Sequence, residues 1–230
     1  SISWLKQLVQ VNESVDDLAE RLSMAGFEVD DVDELSARAQ GVVIGHVLKR
    51  DKHPNADKLS VCSVDVGGQE PIQIVCGASN VRAGIHVPVA MVGATLPAVG
   101  LTIKAGELRG VASNGMICSL TELGLTEQSD GIAILDELDE SLPPKGSPVA
   151  PLLGLDDTVL ELAITANRPD GLSMVGIARE VAALTGGSLS LPELDLDPGT
   201  TPLTTELDGC FYSITRIEGV DGSKPSPTWL

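Results

Sequence analysis

The sequence predicts a multidomain α+β protein: an all-β module of about 100 residues inserted between two short helical segments that together make a small α/β host. Three observations predict it. Apolar residues recur at helical spacing near both ends, the stretch from Gly41 onward breaks into short β-branched runs divided by Gly, Pro and Asn, and the acidity of the chain is confined to the flanks of that stretch. With 230 residues, 43% of them hydrophobic, and a mean hydropathy of +0.17, the chain has ample apolar surface to offset its conformational entropy. Disorder of the whole chain is excluded.

Trp4, Leu5 and Leu8 share one helical face at the start. Ser14 then precedes Val15, Leu18, Ala19, Leu22 and Ala25 at i, i+3, i+4 spacing; with Asp17 it makes a capping box, and Gly26 takes the left-handed stop, so a helix is predicted over 14–25. Phe27 and Val29 alternate with acidic residues into Val32, as in an exposed strand. Strand-like runs follow at 42–48, 59–66, 72–76, 87–92, 101–105 and 132–135, with turns at His53-Pro54-Asn55 and Gly67-Gly68; this spacing fits a small barrel or sandwich. Leu138 to Pro151, with its prolines, reads as the exit linker from the module.

Val159 to Thr165 reads as a strand and Ala166 to Asp170 as a loop, with Asp170 capping a helix that holds Met174, Ile177, Ala178, Val181 and Leu184 until Gly186-Gly187 stops it. Residues 189–209 are expected to be a linker, and 210–230, opening with a strand from Cys210 to Gly219, the start of a further domain. Neither 1–40 nor 152–188 has enough apolar residues to fold comfortably alone. Together they supply three helices and two strands, which predicts a discontinuous host domain with residues 41–151 inserted in it.

The net charge of −18 is distributed as −6 over residues 1–40, +1 over 41–125 and −13 over 126–230, so any polyanion surface belongs in the middle stretch. No apolar run approaches the roughly 20 residues of a bilayer span, so no membrane partner is expected, and the start of the chain lacks a signal-peptide stretch; a cytoplasmic location is the expectation. Cys62, Cys76, Cys118 and Cys210 form no CxxC pair, and three of them sit in or beside apolar β runs, where a thiol packs as a small hydrophobe. The three histidines, His46, His53 and His86, belong to no nucleophile or HExxH motif, and there is no GxxxxGKS or GxGxxG. No catalytic residue and no metal site is predicted.

Two segments carry recognition chemistry instead. In the first, Arg50, Lys52 and Lys58, with Lys49 before them, surround the Pro54-Asn55 turn between two strands and make a compact cationic loop; on a small barrel such loops flank the oligonucleotide groove, although Asp51 and Asp57 also fit a merely polar loop. The second, Leu108 to Ser119, follows a strand carrying Lys104 and holds Arg109, Gly110, Ser113, Asn114 and Met116. It fits a ligand edge and a structural turn at the end of the barrel equally well. The stretch 41–150 has no Phe, Tyr or Trp, so it cannot stack bases as single-strand binders do. Backbone and shape recognition of a folded RNA is what remains, and no DNA partner is expected.

Lys52-His53-Pro54-Asn55-Ala56-Asp57-Lys58-Leu59, then Val75-Cys76-Gly77-Ala78-Ser79-Asn80-Val81-Arg82-Ala83-Gly84, then Leu108 to Ser119, in that order, resemble the tRNA-binding OB-fold module of synthetase-associated proteins. The flanks, Trp4-Leu5 with Met24 to Val29 and Ile164 to Asp170, resemble the amino-terminal part of the bacterial phenylalanyl-tRNA synthetase β-chain family. The resemblance implies a five-stranded OB-type β-barrel, tRNA as partner through Lys49, Arg50, Lys52, Lys58, Arg82, Lys104 and Arg109 with Ser113, Asn114 and Met116 at the groove edge, and a synthetase α chain and second β chain in a heterotetramer. It places phenylalanine attachment, with its ATP and magnesium, on the α chain and editing beyond Leu230, so this chain alone is expected to be inactive and to need no cofactor. Seven basic residues against six acidic predict a tRNA affinity near 10⁻⁴ M or poorer, roughly the non-specific range. The alternative is a purely structural scaffold without tRNA contact, favoured by the acidic flanks.

Overall fold

The computed structural model describes residues 1–139, 141–191 and 218–222. It is a mixed α/β structure with three helices, α1 (Ile2–Leu8), α2 (Val15–Met24) and α3 (Met174–Thr185). The strands are β1 (Glu28–Glu34), β2 (Val42–Lys52), β3 (Ser60–Asp65), β4 (Ile72–Cys76), β5 (His86–Met91), β6 (Thr95–Leu96), β7 (Leu101–Thr102), β8 (Gly106–Leu108), β9 (Val111–Ser113), β10 (Gly115–Ile117) and β11 (Thr158–Ala163). The expected linker past Leu191 and the strand expected from Cys210 lie outside the described residues, apart from 218–222.

Five antiparallel strands form one nearly closed sheet in the order β10-β5-β2-β3-β4. Its two edges meet where the Asn114 N–H donates to the Gln73 carbonyl at 2.8 Å and the Gln73 amide donates to the Ala112 carbonyl at 2.8 Å. The long strand β2 makes this possible: its first half pairs with β5, its second half with β3, and the register shifts between Val47 and Lys49, bending the strand around the core. Burial alternates along β3, where Ser60, Cys62 and Val64 are buried and Val61, Ser63 and Asp65 are partly exposed.

Two strand expectations are corrected. Ile132 to Leu135 are all buried and lead into a 3₁₀ turn over Leu135–Glu137; the run lies against the core, where Ala133 N–H bonds to the Cys118 carbonyl, but it forms no named strand. The fifth barrel strand is Gly115–Ile117, inside the segment read as ligand edge or turn. The run at 101–105 contributes only Leu101–Thr102, paired with β6 in a short side hairpin. The stretch read as an exit linker is also built in: Gly146 N–H bonds to Ile44 O, Ile44 N–H to Ser147 O and Val149 N–H to Val42 O, and Val149 is fully buried.

At the ends of the chain, β1 and β11 form a two-stranded antiparallel sheet. A third apolar cluster draws Ile2, Leu5, Leu8, Leu18, Leu22 and Phe27 from one end and Ile177, Ala178 and Val181 from the other. Trp4 departs from the expected buried face and is 51% exposed, because it lies about 100° around the helix from Leu5. Helix α2 starts as expected, the Ser14 hydroxyl accepting from Asp17 N–H at 3.1 Å, but the hydroxyl also donates to the Asp17 carboxylate at 2.6 Å, in place of the reciprocal bond of a capping box. Helix α3 is capped by Ser173, which accepts from Gly176 N–H at 3.0 Å, and not by Asp170, which lies in a 3₁₀ turn paired to Arg168.

Candidate nucleic-acid interface

The cationic loop and the glycine-rich segment, far apart in sequence, interlock. His53, 2% exposed, accepts the Asn55 backbone N–H on Nδ1 at 3.0 Å and meets the Leu108 carbonyl with Nε2 at 3.0 Å, which requires the Nε2–H tautomer. The Asn55 amide donates to the Arg109 carbonyl at 3.0 Å. These bonds fasten the tip of the β8–β9 hairpin to the Pro54-Asn55 turn. At that tip Arg109 has φ 51° and Gly110 φ 83°, both left-handed, which is the backbone that a two-residue hairpin turn demands. Arg109 is thereby presented outward on a clamped turn.

The expected cations divide into two groups. Lys49 pairs with Asp51 at 2.6 Å, Lys52 with Asp57 at 2.9 Å and Arg82 with Glu137 at 3.2 Å, the last on the loop after β4 and away from the hairpin tip in sequence and in its contacts. Arg50 donates to the Ser60 hydroxyl at 2.9 Å, while Lys58, Lys104 and Arg109 are exposed and form no ion pair with any described residue. Asn114 is exposed beside them along the chain. Ser113 is buried, its hydroxyl accepting from Val75 N–H at 3.1 Å and donating to the Gly115 carbonyl at 3.2 Å, so it ties β4 to the hairpin. Met116 is half-buried against the core of Val42, Ile44 and Ala90.

A family profile described as "Putative tRNA binding domain" matches residues 42–144, the barrel with both recognition segments. Over its full length the chain is 94% identical to the phenylalanine–tRNA ligase beta subunit of Synechococcus sp. strain CC9605, 73% to that of strain CC9902 and 56% to that of a Synechocystis strain. The chain belongs to the phenylalanine–tRNA ligase β-subunit family. It spans 28% of the length of these relatives. No helix of the described residues is long and apolar enough to cross a membrane.

For a chain of the phenylalanine–tRNA ligase β-subunit family, the interior of the barrel is built for packing. Burial pushes the Cys118 thiol up to about 12, and burial with the neighbouring Cys76 pushes Cys62 up to about 11, so both stay protonated. No group of three or more His, Cys, Asp or Glu among the described residues is placed to hold a metal ion. Reading the sequence alone missed a second electrostatic feature: the rings of His46 and His86 stack with centroids 4.6 Å apart, and Asp136 accepts from the His86 backbone N–H at 2.6 Å with its other oxygen 2.8 Å from Nδ1. Burial pushes the Asp136 carboxyl up, but the two His86 hydrogen bonds outweigh it and hold it below its ordinary value. No local motif signals this pair, since it is made by strand register, His46 opposite His86.

Proposed function

We propose that the chain is the non-catalytic amino-terminal part of a phenylalanine–tRNA ligase β subunit, contributing tRNA contact and subunit architecture to ATP-dependent attachment of phenylalanine to its tRNA. In this reading residues 41–151 are an OB-type barrel inserted into a discontinuous host of 1–40 and 152–188, the partners are tRNA, the α chain and a second β chain, and the enzyme works in the cytoplasm. ATP and magnesium act on the α chain. The observation that carries the reading is the coincidence of the tRNA-binding profile with the clamped hairpin that presents Arg109.

The contact set divides by electrostatic freedom. Arg50, Lys58, Lys104 and Arg109 carry the phosphate contacts, because their charge is not spent on a carboxylate, and Asn114 lies beside them. Lys49, Lys52 and Arg82 contribute less, each having to leave an acidic partner first. Ser113 and Met116 support the groove from behind. Without aromatic side chains the barrel follows the backbone of a folded RNA, with a binding strength that falls steeply with salt.

The test is tRNA affinity of the full-length enzyme, measured over a range of salt, for Lys58→Glu with Arg109→Glu. Weaker binding and a shallower salt dependence are expected, the log–log slope falling by about 1 for each phosphate that is no longer neutralised. The three internal ion pairs favour a second reading, a scaffold without tRNA contact, and unchanged affinity and slope in the double variant would select it.

A further inference from the structure

We propose that four polar side chains around the cationic surface, His53, Asn55, Ser60 and Ser113, are positioning residues that make it prefer a folded RNA to a flexible single strand, by fixing where Arg50 and Arg109 stand. The inference rests on the reading of this surface as a tRNA contact and adds to it the residues that decide its selectivity. Leaving the thiols aside, three polar side chains are buried among the described residues, those of His53, Ser60 and Ser113. Every one of them serves an arginine of this surface. Burial of a polar group is opposed by desolvation and returns little net stability through its hydrogen bond; what a satisfied buried group does supply is fixed geometry.

The Ser60 hydroxyl accepts from Arg50 Nε at 2.9 Å and so holds the guanidinium by one edge. Its terminal nitrogens bond to no described residue and suit a phosphate, whose oxygens take two parallel N–H donors. The hairpin that carries Arg109 is held at both ends. At the tip, His53 and Asn55 bond to the Leu108 and Arg109 carbonyls, and a Cβ on Gly110 would stand 3.8 Å from the Asn55 amide. At the base, the Gln73 side chain donates to the Ala112 carbonyl, the Gln73 carbonyl accepts from Asn114 N–H, and the Ser113 hydroxyl accepts from Val75 N–H.

Charge alone does not separate one RNA from another, since every strand carries phosphates, and the stacking that favours a single strand is unavailable to a barrel without Phe, Tyr or Trp. Fixed cations do separate them. In a folded RNA the phosphates stand at set distances, so arginines on a set backbone meet them with little ordering cost on either side, whereas a single strand must first be ordered to match.

The test compares tRNA with an unstructured oligouridylate of equal length in binding to the full-length enzyme. Asn55→Ala, at an exposed position, and Ser60→Ala, which removes a single hydroxyl, preserve every charge of the surface. Each should weaken tRNA binding by about 2- to 10-fold, the scale of ordering one long side chain, and leave the oligouridylate unchanged. Asn55→Ala should have no further effect in an Arg109→Ala background, nor Ser60→Ala in an Arg50→Ala background, a dependence that a general loss of stability does not produce. An equal loss for both RNAs, full additivity with the arginine variants, or unchanged tRNA affinity in Asn55→Ala and Ser60→Ala where the arginine variants weaken it overturns the positioning role. If Arg50→Ala and Arg109→Ala also change nothing, the tRNA reading itself has failed and this inference falls with it.

Discussion

Between Val42 and Val149 the barrel has no Phe, Tyr or Trp, and its two apolar clusters are filled by Val, Ile, Leu, Ala and three thiols, whereas the helical unit gathers around one ring, that of Phe27. The barrel spreads its stabilisation over many small contacts and the backbone hydrogen bonds of a nearly closed sheet. The helical unit concentrates it: Phe27 is fully buried, the Arg168 guanidinium lies 4.0 Å from its ring centroid, and the same guanidinium pairs with Asp170 at 3.0 Å and Glu180 at 2.8 Å while holding the Ala25 carbonyl. Asp170 is kept below the ordinary carboxylate range chiefly by its hydrogen bond from Arg168. Loss of one residue should therefore be tolerated unequally by the two regions.

The largest effect should come from Phe27→Ala, with about 3–5 kcal/mol lost in chemical denaturation, because the ring's cavity and the seat of Arg168 go together. A loss under about 1 kcal/mol would show that the unit is not organised around that ring. In the barrel, Gly67 and Gly146 have φ of 77° and 83°, and a Cβ on either would come within 2.6 Å of the facing segment's backbone, at Lys145 O for Gly67 (2.5 Å) and at Val66 O for Gly146 (2.6 Å). Gly146→Ala is expected to cost about 1–3 kcal/mol, read by the same denaturation, since both strain and overlap are introduced. An effect equal to that of Phe27→Ala would erase the contrast.

Each region carries two depressed carboxylates, Asp65 and Asp136 in the barrel and Asp157 and Asp170 in the helical unit, and one from each gives a comparison by pH. Asp157 is raised by burial, but the Ser1 hydroxyl and the Ser3 and Thr158 backbone N–H groups outweigh this and hold it low; Asp136 is held low by His86. Because both titrate lower in the folded chain than in the unfolded one, their contribution is complete above the ordinary Asp value of about 3.9 and disappears as pH falls through the folded values. Thermal melts should be flat in these terms from neutral pH to about 5 and fall below about 4. Asp136→Asn and Asp157→Asn should each make that acid decline shallower, and an unchanged profile would remove the carboxylate concerned from the comparison. The smallest effect expected is chemical: Cys62 and Cys118 should react with a thiol reagent near pH 8 only as fast as the barrel opens, a rate that labelling and mass spectrometry measure.

Where local pattern determines structure, the sequence was legible. Ser14 and Gly26 bracket α2, and the β-branched runs mark β2, β3, β4 and β5. The missed strand, Gly115–Ile117, is three residues long, begins with a glycine at φ 154° and is created by its pairing with β5, so nothing in its composition announces it. The hairpin before it was hidden for a different reason: the slot where Asn-Gly is the usual signal holds Arg109-Gly110. Of the site, the motifs and their cations were readable, but their partners were not. That Lys52 meets Asp57 while Lys58 meets no described carboxylate depends on side-chain reach around one turn, and the burial of Ser113 depends on closure of the sheet.

The bond from Val149 N–H to Val42 O, 3.1 Å long, has a consequence for how such a molecule arises. It makes neighbours of the two points where the polypeptide enters and leaves the barrel, so the intervening hundred or so residues form a loop whose ends are already closed. The entropic toll of carrying so large a passenger grows only with the logarithm of its length. Packing does not stop at that junction, since Ala39, Leu153 and Leu155 are buried in the same cluster as Val42 and Val149.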